Sequence, residues 1–159
     1  MSKKVFLLLI GIAFVLSSVS INAQTNAQKD KLGDSLKAAG YAIKTKQPVE
    51  ALDWEKEQFD IESKYRFAVK SKKNFPGEPR TFYRFWVEIE VYRSEADAGK
   101  RLERLLEAPP GLDDKMHAEY VLRDGFQRAN LIYIISTDAV MFSGEGLRDL
   151  KEKLEKAIE

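Results

Sequence analysis

The clearest alternation of apolar and polar residues lies between Thr81 and Arg93, and it predicts the principal strand of the protein. Successive side chains of a strand point to opposite faces of a sheet, so we expect one face of this strand to lie in the core. That face carries Tyr83, Phe85, Val87, Ile89 and Val91. The opposite face carries Phe82, Arg84, Trp86, Glu88, Glu90 and Tyr92. This second face mixes aromatic with charged residues, so the pattern alone does not decide whether it is buried or exposed.

Three stretches have the apolar spacing of helices that are buried on one side. The first spans residues 28–39, with Gly40 placed to end it. The second begins after Ser94, a favourable N-cap residue, and ends before Pro109. The third follows Ser143, and its inner stripe consists of Leu147, Leu150, Leu154 and Ile158.

Further strands are predicted from shorter patterns. Residues 65–70 alternate, residues 131–135 form a buried apolar run, and Asp124-Gly125 is typical of a hairpin turn after a strand at residues 120–123. Weaker apolar stretches lie at residues 41–43 and 140–142. The segment 41–64 otherwise fits neither the helical nor the strand period.

The predicted order from residue 65 onward is strand, strand, helix, strand, strand, helix. This order favours the α+β class, with an antiparallel sheet of about four to five strands and two to three helices packed mainly on one face. A ferredoxin-like plait is possible, although its usual order begins with strand, helix, strand. An alternative stays open, in which the N-terminal helix or the segment around Trp54 covers the second face and gives three layers.

The first 23 residues have the layout of a secretory signal peptide. A positive start at residues 3–4 precedes an uncharged apolar block at residues 5–16, small polar residues and a cleavage point near Ala23. The block is shorter than the roughly 20 apolar residues that a membrane-spanning helix needs, so we expect cleavage and no stable membrane insertion afterwards. The expected location is the periplasm or the cell exterior. Alternative cleavage points are Ser20 and Ala27.

Length and composition narrow the remaining possibilities. The chain has 159 residues, a formal net charge of +1 and no cysteine. We expect one domain over residues 24–159, with an N-terminal helix and connecting segment at 24–64 and an α+β core at 65–159. A charge near zero gives no overall attraction to nucleic acid, and we expect none as a partner. Without cysteine there is no disulfide, thiol nucleophile, thiolate metal site or acylated cysteine.

Candidate catalytic groups are few. The single histidine, His117, lies near Asp113 and Asp114, but three such residues in one short loop lack the spacing of a closed zinc or calcium site. Carboxylates are plentiful among residues 53–62. Two carboxylates facing each other across a cleft would suit glycoside hydrolysis, but nothing in the sequence indicates that any two of them do so. We therefore predict no catalytic residue, metal ligand or cofactor. The carboxylates concerned are Glu55, Glu57, Asp60 and Glu62.

The second face of the principal strand is the best candidate for ligand binding. Exposed aromatic residues are enriched in binding surfaces, unless another element covers them. A second feature is a group of cations near the first hairpin loop, which would suit an anion such as a phosphate or an acidic glycan, or would simply be solvated. The candidate ligand-binding residues are Phe82, Arg84, Trp86 and Tyr92, and the cations are Lys70, Lys72, Lys73, Arg80 and Arg84.

These patterns favour a small exported, non-catalytic module that binds a protein or another ligand. The alternative is a carboxylate-dependent hydrolase without a recognisable motif. An enzyme is expected to have a pocket in which acids converge, whereas a binding module is expected to have an open aromatic surface.

Overall fold

The structure is a computed structural model, and it describes residues 26–107, 122–138 and 143–158. The predicted signal peptide, the His117 loop and the stretch 140–142 lie outside the described residues. Four helices are seen in the described part: α1 (residues 26–38), α2 (Asp53–Phe59), α3 (Glu95–Glu107) and α4 (Ser143–Ala157). The strands there are β1 (Tyr41–Val49), β2 (Ile61–Ser71), β3 (Arg84–Tyr92), β4 (Leu122–Arg128) and β5 (Leu131–Thr137).

The five strands form one sheet in the order β1-β2-β3-β5-β4, and every neighbouring pair is antiparallel. This confirms the α+β class and the antiparallel sheet. β3 lies at the centre, and the predicted core face of this strand is buried: Phe85, Val87, Ile89 and Val91 are at most 3% exposed. The alternation in the sequence therefore identified the correct core face.

Helices α1 and α4 cover this first face of the sheet. Leu32 and Leu36 of α1 are fully buried, as are Leu150 and Leu154 of α4, so both predicted apolar stripes are confirmed. Gly40 follows α1 with a φ of 92°, a left-handed conformation that glycine adopts without the steric cost of a Cβ atom. The helix consequently ends where the sequence indicated.

Helices α2 and α3 cover one end of the second face, so the four helices are divided between the two faces. The expectation that they pack mainly on one face describes α1 and α4 only. Phe59 of α2 and Leu105 of α3 are buried together with Ile132 and Ile134 of β5. The physical reason is that β5 is apolar on both faces, and its second face needs a cover. The covering segment includes Trp54, which agrees with the alternative in which the segment around Trp54 covers the second face and gives three layers.

Two local expectations differ from the structure. The segment 41–64 contains a nine-residue edge strand, β1, and a two-turn helix, α2, where the sequence indicated at most a short strand. Asp124-Gly125 was expected to be a turn but lies inside β4, and the turn falls at residues 129–130, where Ala129 has a φ of 50°. Gly125 instead allows a close approach, because a Cβ atom there would lie 2.6 Å from the carbonyl oxygen of Tyr133.

Candidate functional site

The second face of the sheet changes character along the paired strands β2 and β3. Beneath α2 and α3 the facing residues carry opposite charges. Beyond the helices no element of the described ranges covers the face, and the facing residues are first apolar and then both cationic. In order from the covered end to the open end, the facing pairs are Lys64 with Glu90, Arg66 with Glu88, Ala68 with Trp86, and Lys70 with Arg84.

The covered end holds four charged side chains, which we call the buried ion cluster: Glu55 of α2, Lys64 of β2, Glu90 of β3 and Arg101 of α3. Each of these side chains is at most 10% exposed. The Nζ atom of Lys64 lies 2.8 Å from Glu55 Oε1 and 2.9 Å from Glu90 Oε1. Arg101 Nη2 lies 3.0 Å from Glu55 Oε1, and Arg101 Nε lies 3.6 Å from Glu90 Oε2. Two cations thus neutralise two acids inside the protein, which offsets much of the cost of burying them.

Tyr92 belongs to this buried region and not to an open surface. Its side chain is fully buried, and its hydroxyl group donates a hydrogen bond to Glu90 Oε2. Burial, followed by the nearby Glu90 carboxylate, raises the pKa of Tyr92 far above the usual value for a phenol. Burial alone would lower the pKa of Lys64, but the neighbouring glutamates outweigh it and raise that pKa. Both groups therefore keep their protons at neutral pH.

The buried ion cluster attaches the short helix α2 to the rest of the protein. Glu55 Oε2 accepts a hydrogen bond of 2.9 Å from the backbone N–H of Leu52, just before the helix begins. The guanidinium carbon of Arg101 lies 5.2 Å from the ring centre of Trp54 and 5.3 Å from that of Phe59, within the range of cation–π attraction. A helix of two turns is marginal by itself, so these contacts to Lys64 of β2 and Arg101 of α3 hold it in place.

The carboxylates of residues 53–62 do not converge in a pocket. Glu55 is engaged in the buried ion cluster, and Glu57 is exposed on α2. Asp60 lies 3.2 Å from the guanidinium group of Arg93, and Glu62 lies 3.8 Å from the same group. The structure therefore distributes these acids between a buried ion cluster and the surface.

The open end of the second face forms a shallow groove of about 460 Å³. This volume lies within the range of small-molecule sites. Trp86 is half-buried there and faces Ala68 across the β2–β3 ladder, so the two form an apolar floor. We call this depression the groove, and its lining residues are Lys44, Ala68, Val69, Lys70, Arg84, Phe85, Trp86 and Asp138.

The groove brings three cations together. Lys70 of β2 and Arg84 of β3 face each other directly in the sheet. Lys44 lies at an irregularity of β1, between Ile43 and Thr45, where the pairing with β2 shifts by one residue. A bulge of this kind redirects a side chain out of the regular alternation. The combination of a bulge on one strand and facing cations on the next two strands gives the groove a positive charge.

The predicted ligand-binding residues are placed in three different surroundings. Arg84 and Trp86 line the groove. Phe82 lies beside it, with the ammonium group of Lys70 3.7 Å from its ring centre, whereas Tyr92 is buried at the other end of β3. The structure therefore brings Arg84, Trp86 and Phe82 together and separates Tyr92 from them.

Of the predicted group of cations, Lys70 and Arg84 line the groove. The other members, Lys72, Lys73 and Arg80, are exposed in the adjoining loop and do not line it. Sequence reasoning missed Lys44 and Asp138, because a bulge in β1 and the register of β5 decide their positions. No signal along the chain marks either residue.

Comparison of the chain with family models, with curated proteins and with solved structures found no match. In the described ranges, no helix has the length and apolar character needed to cross a membrane. Within the same ranges, no group of three or more acidic or histidine side chains has the arrangement of a metal site. The groove and the buried ion cluster are therefore interpreted from their own chemistry.

Proposed function

We propose that this chain is a small exported module that binds a ligand in the groove and leaves it chemically unchanged. The observation that carries the proposal is the half-buried indole of Trp86, which lies in the groove on a part of the sheet that none of the described helices covers. Trp86 and Ala68 form an apolar floor rimmed by Lys70 and Arg84, and an apolar patch with a polar rim is typical of a ligand-binding groove. The cations around Trp86 add a means of orienting a polar ligand.

Export is supported by the first 23 residues alone, whose positive start, short apolar block and small residues before the cleavage point are typical of a signal peptide. The test is the mass of the protein after expression of the full chain in a bacterium with two membranes. We expect a periplasmic or secreted species that begins after Ala23. A species that begins at Met1 and sediments with the membranes would overturn the export proposal.

The carboxylate-dependent hydrolase has less support. Glycoside hydrolysis by the usual mechanism needs two carboxyl groups on either side of the scissile bond. Among the described residues that line the groove, only Asp138 carries a carboxylate. A binding function, by contrast, needs only an apolar surface and charged groups, and the groove provides both.

The two tryptophans of the chain allow a direct test of the binding site. Trp54 lies on α2 at the covered end and Trp86 lies in the groove. The Trp54→Phe variant leaves Trp86 as the only indole, and its fluorescence should change when a ligand enters the groove. The matched Trp86→Phe variant keeps Trp54 and should show no change.

The titration is run against a panel of sugars, sugar acids and organic phosphates, and the recovered ligand is weighed by mass spectrometry. An unchanged mass supports a binding module. A hydrolysed ligand would favour the enzyme, and equal binding by the Trp86→Phe variant would show that the site lies elsewhere.

A further inference from the structure

The charges that face each other across β2 and β3 are complementary under the helices and alike in the groove. At the open end Lys70 is directly opposite Arg84. Like charges in facing positions of an antiparallel pair destabilise a sheet, whereas opposite charges stabilise it. A bound anion would neutralise the two cations and remove this repulsion. The unfavourable pair therefore favours the binding of a negatively charged ligand in the groove.

The third cation of the groove strengthens this asymmetry. Lys44 adds its charge from β1, so the described residues of the lining include three cations and one acid, Asp138. In the described part of the chain, neither Lys44 nor Arg84 takes part in an ion pair within 4.0 Å. The planar guanidinium group of an arginine can donate two parallel hydrogen bonds to a carboxylate or a phosphate.

The floor of the groove suits a ring that has one apolar side and one polar side. Trp86 and Ala68 offer a flat apolar surface, while Lys44, Arg84 and Asp138 around them are exposed to water. A ligand in so shallow a groove keeps its outer side hydrated. A sugar ring meets both requirements, because its C–H groups can cover the indole while its hydroxyl groups point to solvent or donate to the carboxylate of Asp138.

We infer that the groove selects a saccharide that carries one compact anionic group, a carboxylate or a phosphate, and this inference rests on the proposed binding function. The sugar ring lies on Trp86, and the anion lies between Lys70 and Arg84. An acidic peptide would supply the anion but no flat ring to lie on the indole. The saccharide therefore fits both the apolar floor and the cations of the groove better.

The experiment measures Trp86 fluorescence in the Trp54→Phe protein with four probes: glucose, glucuronate, a glucose phosphate and inorganic phosphate. Glucose has the ring without the charge, and inorganic phosphate has the charge without the ring. At least one of the two anionic sugars should bind about tenfold or more tightly than either of these, because hydrogen bonds to charged groups are roughly twice as strong as neutral ones. The preference between glucuronate and the glucose phosphate identifies the anion.

A charge substitution locates the anion in the groove. Arg84→Gln should weaken binding of the preferred anionic sugar about fivefold or more, while binding of glucose stays the same. The matched control is Lys73→Gln, which removes the same charge from the neighbouring exposed loop and should leave both affinities unchanged. Circular dichroism confirms that each variant is folded, and Lys70→Gln replaces Arg84→Gln if that variant is not.

Each contrary result has a distinct meaning. Equal affinity for glucose and the anionic sugars would overturn the inference and leave the proposed function standing. No fluorescence response to any of the four probes, up to its solubility, would overturn the inference, and the proposed function falls as well only if the whole panel of sugars, sugar acids and organic phosphates also gives no response. A polyglutamate peptide is titrated as a fifth probe, and tighter binding of this peptide than of either anionic sugar would overturn the choice of a saccharide. An equal loss of affinity in Lys73→Gln would place the anion outside the groove.

Discussion

Replacement of Glu55 by alanine tests whether the buried ion cluster holds α2 on the sheet. One oxygen of the Glu55 carboxylate lies within 3.0 Å of both Lys64 and Arg101, and the other accepts the N–H of Leu52. The substitution leaves the two cations of the buried ion cluster with Glu90 as its one remaining acid and with Glu88 4.0 Å from Lys64, and it removes the hydrogen bond at the start of α2. We therefore expect a large loss of stability from a residue that looks polar and dispensable in the sequence.

The size of the loss follows from the burial of the partners. Removing one partner of a buried ion pair costs about 3–5 kcal/mol, because the remaining charge stays in a poorly solvated environment. Loss of the backbone hydrogen bond adds about 1 kcal/mol. Domains of this size unfold with a free energy of roughly 5–15 kcal/mol, so the variant should lose a substantial fraction of it. With a urea dependence of about 2 kcal/mol per molar, the unfolding midpoint should fall by roughly 2–3 M.

Urea unfolding followed by circular dichroism at neutral pH measures this shift. The matched control is Glu57→Ala, which makes the same change at an exposed position of the same helix and should alter stability by less than about 0.5 kcal/mol. If Glu55→Ala does not fold, Glu55→Gln keeps the shape and removes only the charge. Equal midpoints for the Glu55 variant and the Glu57 control would refute the reasoning.

Three further predictions concern the core, the glycines and pH. Leu154→Ala in α4 removes a fully buried side chain and should cost about 2–5 kcal/mol in the free energy of unfolding, and an unchanged thermal midpoint would contradict it. Gly33→Ala should raise the free energy of unfolding by about 0.5–1 kcal/mol, because alanine favours a helix and the nearest neighbour of the new Cβ atom lies at 3.7 Å. Gly125→Ala should instead lower it by about 1–3 kcal/mol, because the new Cβ atom clashes with a backbone carbonyl. The pKa values of Tyr92 and Lys64 are raised in the folded state, so the unfolded chain releases these protons first, and stability should be full below about pH 10 and fall as the pH rises further. Thermal melts across this range measure the fall, and a constant midpoint up to about pH 11 would show that the two groups are not buried as described.

The elements that follow a single period over many residues could be predicted from the sequence. β3 and α4 each have an apolar face that the sheet buries, and local spacing decides that face. The segment Asp53–Phe59 could not be predicted, because a helix of two turns is too short to show a period and one of its buried positions is Glu55. Its position depends on two charges from other elements, Lys64 of β2 and Arg101 of α3, which both contact Glu55.

The candidate site was predictable to the extent that it belongs to one strand. Arg84 and Trp86 share a face of β3, which alternation reveals. The charge opposite Arg84 depends on the register between β2 and β3, and Lys44 reaches the groove through a bulge. Tyr92 shares the face of Trp86 but is buried, because α3 covers only that end of the strand.

The division of the second face into a covered end and an open end has a consequence for how the protein could diversify. Val69 and Phe85 line the groove and also belong to the core beneath α1 and α4, whereas the three cations of the groove belong to neither hydrophobic cluster. Substitutions at Lys44, Lys70 and Arg84 should therefore change what the groove recognises at little cost in folding. One scaffold can in this way acquire new binding preferences by single mutations, while its core sequence stays the same.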